Sequence, residues 1–407
     1  MMAVVTGLVC VRCGKRCEAG RHLVCPACGL EGILDVEYDY DQMKASLKRS
    51  PLKARGEGSM WRYADMLPTA GLGSRSLRVG WTPLYNFERL GRAVNHRGLY
   101  LKDDTVNPSA SLKDRASAVA VSMALEKRAR GIACASTGNA ASSLALISAS
   151  VGLPAYIFVP KTIPGPKLCQ LVVSAERVFR VRGTYENAFD LATEAIAKWG
   201  WENRNCGINP YLVEGKKTCS LEIYEQLGYR VPDWVVVPVG DGCIISGQAK
   251  AFRDLKAVGE IDRLPRLLAV QAEGAKPIVD AIREDREVIP VSPSTLADSI
   301  RVGKPRNWRK AVRAVRESGG SALSVTDEEI IEAVKLLGKT AGVFAEPAGA
   351  AGLAGLLKAL RAGLVGKDET AVVLVTGSGL KDPESLAGSV AVCDVDCALA
   401  SVEKCLR

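Results

Sequence analysis

Lys113 carries the strongest chemical suggestion in this chain, because of where it stands. It lies in Asn107-Pro-Ser-Ala-Ser-Leu-Lys113-Asp-Arg115, at the entry to a predicted helix. A lysine there forms an imine with a carbonyl compound when apolar and cationic neighbours depress its pKa. Alone, the segment reads as an ordinary solvated helix start. Two further turns change that reading. Ser136-Thr137-Gly138-Asn139-Ala140 falls between a predicted strand and a predicted helix, where hydroxyls and free N–H groups suit a carboxylate and Asn139 can donate to a phenolic oxygen. Gly240-Asp241-Gly242-Cys243-Ile244 follows a valine-rich run, and its glycines let backbone amides close around a phosphate. Neither turn is a Walker motif or a dinucleotide fingerprint, which disfavours ATP and NAD. Lysine, carboxylate cradle and phosphate cradle together are the parts of a pyridoxal 5′-phosphate (PLP) site.

A second constellation stands near the N-terminus. Cys10-Val-Arg-Cys13-Gly and Cys25-Pro-Ala-Cys28-Gly are two Cys-x-x-Cys-Gly knuckles. Each presents two thiolates, and two knuckles complete a tetrahedral shell for zinc. Such a closed site holds a segment too small to fold alone. The only histidines are His22 and His96, which leaves acid–base work to lysine, carboxylates, hydroxyls or a cofactor.

These residues need elements to position them, and 407 residues suffice for about two domains and an appendage. Strands are predicted over 98–102, 131–135, 155–159, 234–239, 267–271 and 371–375. Helices are predicted over 112–129, 140–150, 327–341 and 348–360. Their alternation implies α/β architecture with parallel, covered sheets. Ligands then sit at the carboxyl edge of the strands, where the three turns fall. The tail with Cys393, Cys397 and Cys405 suggests no role.

The chain resembles the threonine synthase branch of the fold-type-II PLP enzymes. The resemblance runs from Met60-Trp61-Arg62-Tyr63 to Asp382. It takes in Thr82-Pro83-Leu84, Asn107–Arg115, Ser136–Asn139, Asn209-Pro-Tyr211 with Glu214-Gly215, Arg301–Trp308, Glu346-Pro347 and Thr376–Asp382. It implies two three-layer α/β domains around a cofactor cleft, plus a small zinc-ribbon-like segment. We expect the ribbon over residues 1–35, a larger domain over 36–107 and 206–390, a smaller inserted domain over 108–205, and a tail over 391–407. The resemblance also implies roles. Lys113 would hold the cofactor as a Schiff base and move protons, and Asn139 would bond the cofactor's 3′ oxygen. Gly240 to Ile244 would wrap its phosphate, and Thr376 would face the pyridine nitrogen. Ser136, Thr137, Gly138 and Ala140 would grip the substrate.

Where the family places polar groups around a second, substrate phosphate, this chain has Cys206, Gly207, Leu212 and Ile244. Ala140 also stands where a threonine is usual, Leu112 where a phenylalanine is usual, and Ser378 where a histidine is usual. An uncompensated dianion would cost several kcal/mol. Either the substrate's distal group is smaller or less charged, or Lys102, Lys216, Lys217 or Arg301 supplies the charge. The expected reaction is elimination or replacement at Cβ or Cγ of an amino acid, best described as threonine synthesis from O-phosphohomoserine. Cysteate synthesis from phosphoserine and sulfite, a β-eliminating deamination, and a PLP-binding regulator without turnover are the alternatives.

Net charge is +9, scattered along the chain, which suits a small anionic substrate. With 5% aromatic residues and no basic stripe, nucleic acid is not an expected partner. No apolar stretch reaches the roughly 20 residues of a membrane span, and the first ten residues carry no basic run. A cytoplasmic homodimer is expected.

Overall fold

Valine-rich runs without charged residues can be buried on both faces, and two of them occupy the centre of the larger sheet. In the computed structural model, which describes residues 5–73, 76–386, 392–397 and 399–406, Trp234–Pro238 and Ala371–Val375 are buried neighbours. The six-stranded order is Ser321–Val325, Arg266–Ala272, Trp234–Pro238, Ala371–Val375, Leu99–Asp103, Leu84–Tyr85. Only the last pair is antiparallel. The chain between Leu99–Asp103 and Trp234–Pro238 builds a second sheet, entirely parallel: Arg177–Val181, Ala155–Pro160, Ile132–Ala135, Glu202–Asn203.

Side-chain alternation along these strands fills a layer on each face. Val235, Val237, Val372 and Leu374 enter one apolar cluster with Leu221, Ile245 and Phe252. Trp234, Val236, Val373 and Val375 enter another with Ile330 and Leu353. The smaller sheet turns Ile132, Cys134, Ile157 and Val159 toward the first cluster. It turns Ala133, Ala135 and Phe158 toward a third, with Ala188 and Phe189. Each sheet is therefore the middle of three layers.

A three-stranded antiparallel sheet of Arg16–Cys17, Val5–Cys10 and Leu34–Tyr38 forms the N-terminal piece. It is bonded to the body by buried polar contacts. Tyr38 Oη donates to Glu214 at 2.8 Å, Tyr40 Oη to Asp254 at 2.7 Å, and Lys310 pairs with Asp35 at 3.0 Å.

The predicted elements form close to their expected bounds, with the helix from Lys113 ending at Glu126. The chain turns there because Arg128 adopts φ +55°. Unpredicted helices include Tyr211–Gln226 and Cys243–Ala257. In the first, every residue from Tyr211 to Glu225 is buried, charged ones included, so no amphipathic period marks it. The tail contains a helix, Leu399–Leu406. The expected chain start and the junction at 390/391 lie outside the described residues. Among the described residues, no helix is long and apolar enough to cross a membrane.

Candidate active site

The loop that carries Lys113 is held against the end of a central strand. Leu112 donates its N–H to the Thr376 carbonyl at 2.9 Å, and Ser378 donates to Ala110 at 3.0 Å. Ser111 and Gly377 form an antiparallel bridge. Lys113 thus begins its helix beside the carboxyl end of Ala371–Val375, lining a cleft of 970 Å³. Asp114, on the other side of the helix start, accepts from the Ser109 N–H at 2.6 Å and fixes the turn. Burial pushes the Lys113 pKa down, Cys206 and Glu346 oppose that, and Lys216 and Arg204 reinforce it. The shift makes the free amine, the form that attacks a carbonyl, easier to reach.

The other expected site residues line the same cleft. Ser136, Thr137, Gly138, Asn139 and Ala140 come from the smaller sheet, at the start of the helix Asn139–Ser150. Gly240, Asp241, Gly242, Cys243 and Ile244 come from the larger sheet, at the start of Cys243–Ala257, and Thr376 closes the set. The glycine loop is tight. A Cβ on Gly240 would lie 3.0 Å from Ile300 Cα, and one on Gly242, at φ +88°, would lie 2.9 Å from Ala311 Cβ. Asp241 braces the loop. Its carboxylate accepts the Arg306 N–H at 2.6 Å, and its carbonyl accepts the Asn307 N–H at 3.1 Å. Asn307 Nδ2 donates back to the Gly242 carbonyl at 3.1 Å. Arg306 and Asn307 therefore brace the glycine loop from outside.

Glu346 is a site residue that the sequence left without a role. Its buried carboxyl accepts from Asn139 Nδ2 at 2.9 and 3.1 Å, and the same nitrogen reaches Ser299 Oγ at 3.2 Å. Burial raises its pKa, opposed by Asn139 and Lys113. The donor set fits PLP: an amine for the aldehyde, a helix start for the phosphate and an amide for the phenolic oxygen.

The four positions expected around a substrate phosphate do not all reach the cleft. Cys206 and Ile244 line it. Leu212 is buried in the main apolar cluster, and Gly207 packs against Arg306 and Asp241. Nor do all the expected compensating cations. Lys102 pairs with Glu222 at 2.6 Å, and Lys217 pairs with Glu214 at 2.6 Å and Asp254 at 2.7 Å. Arg301 lines the cleft but pairs with Asp298 at 2.6 Å. Lys216 lines the cleft with no polar partner, and Arg204, which the sequence did not flag, lies there with it.

Away from the cleft, the Sγ atoms of Cys10, Cys13, Cys25 and Cys28 lie within 4.8 Å of one another. Gly14 and Gly29 take φ +71° and +58° to close the knuckles. The cluster fits a tetrahedral metal, and Cys17 stands outside it.

A model of the family described as pyridoxal-phosphate dependent enzyme matches residues 75–377. The processed form of threonine deaminase isoform 2 from Solanum lycopersicum has a similar fold, with TM-score 0.66 at 22% identity, covering 86% of this chain and 92% of that one. Fold and site define a fold-type-II PLP enzyme. A threonine synthase of Methanocaldococcus jannaschii is 38% identical over 403 residues, 98% of each chain. One of Methanosarcina acetivorans is 40% identical over 384 residues, 93% of each. The chain belongs to the threonine synthase family of PLP-dependent enzymes, which work by elimination and replacement at Cβ and Cγ of amino acids.

Proposed function

We propose that the protein is a threonine synthase, converting O-phosphohomoserine and water to threonine and phosphate. The observation that supports this most is a cleft with Lys113 between a carboxylate cradle and a phosphate cradle, in a chain that aligns almost end to end with threonine synthases. Bound PLP supplies an electron sink for charge that develops at Cα. Lys113 would hold the cofactor and carry protons at its Nζ. Asn139, turning an N–H away from Glu346, would donate to the cofactor's 3′ oxygen, and Gly240 to Ile244 would hold its phosphate. Thr376, a hydroxyl where a carboxylate would make the ring more cationic, would face the ring nitrogen. Ser136, Thr137, Gly138 and Ala140 receive the substrate carboxylate through hydroxyls and N–H groups at a helix start.

The test is product analysis with the holoenzyme. O-phosphohomoserine should give threonine and phosphate in equal amounts, with kcat/KM of about 10⁴ M⁻¹s⁻¹ or above. Ammonia release from threonine or serine without phosphohomoserine turnover would make the protein a deaminase, and cysteate from phosphoserine and sulfite would make it a cysteate synthase.

The cysteine cluster, in this reading, holds one structural zinc per chain. Elemental analysis of protein purified without chelator should find it. Cys10→Ser should release the metal and expose the N-terminal segment to protease while leaving turnover largely intact. A parallel loss of turnover would give the metal a different role.

A further inference from the structure

Among the described residues, buried cations follow a pattern with two exceptions. Lys102, Lys217, Lys250 and Lys310 are each buried, and each holds a carboxylate at 2.6 to 3.0 Å. Arg62 and Arg115 likewise pair with Glu225 and Asp104, each at 2.8 Å. Lys216 and Arg204 are both 0% exposed, and among the described residues neither has a carboxylate partner. Lys216 Nζ has no hydrogen-bond partner at all. Arg204 places Nε on Ser117 Oγ at 3.1 Å and Nη1 on Cys206 Sγ at 3.2 Å, leaving Nη2 without one. Both side chains line the active-site cleft.

An unpaired ammonium removed from water costs several kcal/mol. Such a cost persists where an incoming anion offsets it. The carboxylate of the cradle loop does not serve, because Asp241 is turned to the Arg306 N–H and the Cys243 thiol. The backbone of Lys216 packs beside the cofactor-loop helix, where a Cβ on Gly247 would lie 2.9 Å from Lys216 Cβ. Gln248 Nε2 donates at 3.2 Å to the carbonyls of both Lys216 and Ile244. The backbone of Lys216 therefore lies next to that of Ile244, at the end of the glycine loop.

We propose that Lys216 and Arg204, with Cys206 against the Arg204 guanidinium in the same cleft, form a second anion subsite that binds the substrate's distal phosphate monoester. The proposal rests on the threonine synthase reading for the identity of that substrate. It replaces the donors absent at Leu212 and Ile244 with charge from a different direction. The field is already visible on Cys206. Burial acts to raise its thiol pKa, but Lys216, Arg204 and Lys113 bring it down to about 7. Cys206 is only partly buried, so it can report on the subsite.

The experiment alkylates Cys206 in the full-length holoenzyme with iodoacetamide at neutral pH and follows the modified peptide by mass spectrometry. Inorganic phosphate and O-phosphohomoserine should each slow modification several-fold, and homoserine should not. Lys216→Met should abolish that protection and raise KM for O-phosphohomoserine roughly ten- to a hundred-fold, the loss of one charge-assisted bond. It should keep its affinity for PLP and melt no lower than wild type, since it removes an unpaired buried charge. Lys216→Arg should restore part of the protection. Failure of phosphate to protect the wild-type holoenzyme would overturn the subsite. Parallel loss of PLP in Lys216→Met would overturn it too, assigning the lysine to the cofactor's phosphate. If phosphate protects through Lys216 but O-phosphohomoserine is not turned over, the subsite stands and the functional reading fails. Turnover with KM unchanged in Lys216→Met keeps that reading and removes the subsite.

Discussion

Lys113→Ala is expected to purify without the yellow colour of lysine-bound PLP and to lose turnover by about 10³-fold or more. The size follows from two functions held by one nitrogen, cofactor attachment and proton movement. Other lysines line the cleft, but each is differently placed. Lys167 is paired with Asp298 at 2.6 Å, Lys304 is exposed at the rim, and Lys216 is fully buried. Of these, Lys113 alone follows directly on a residue, Leu112, whose backbone N–H is bonded to the strand end at Thr376. Borohydride reduction followed by peptide mapping checks the assignment. Wild type should carry the reduced cofactor on Lys113, and the variant should carry none. A yellow variant with cofactor on another lysine would refute the role of Lys113.

Much of this arrangement was legible in the sequence, and what was not has physical causes. Ala371–Val375 and Asp327–Ala341 announce themselves, one by an unbroken apolar run and the other by a 3.6-residue period. Tyr211–Gln226 does not, because its charged residues are buried, all but Lys216 in ion pairs. Adjacent lysines on that helix point roughly 100° apart. Lys217 therefore reaches Glu214 and Asp254 while Lys216 turns into the cleft. Sequence can offer both as phosphate ligands but cannot choose between them. The same limit explains Leu212. Its position straight after the Asn-Pro-Tyr motif suggested the substrate's surroundings, whereas its side chain packs in the core. A polar side chain there would have to enter that core, so restoring a polar group at this position alone is not a route to phosphate binding.

Arg115→Met should be the most damaging substitution away from the reacting atoms, destabilising the fold by about 3–5 kcal/mol. Arg115 is 0% exposed. It meets Asp104 through Nε at 2.9 Å and Nη2 at 2.8 Å, Glu222 through Nη2 at 2.8 Å and Thr218 through Nη1 at 2.9 Å. Lys102 completes the group on Glu222. Methionine fills similar volume but leaves two buried carboxylates facing one lysine, so the penalty is an uncompensated charge rather than a cavity. The loop bearing Thr82, the strand end at Asp104, the helix of Lys113 and the helix of Glu222 all meet here. Burial acts to raise the Glu222 pKa, but Arg115 and Lys102 bring it down to about 2. A depressed carboxyl stabilises the fold fully above its unfolded pKa, and that stability is lost as pH falls toward about 2. Without Arg115 the Glu222 pKa should rise, so acid unfolding should begin at higher pH in the variant. Urea unfolding of the holoenzyme at neutral pH and an acid titration measure the two effects. Glu222→Gln in the Arg115→Met background should recover part of the loss, because it removes one of the stranded charges. If the single variant costs less than about 1 kcal/mol, or the second change makes it worse, this cluster is not what joins the Lys113 helix to the larger sheet.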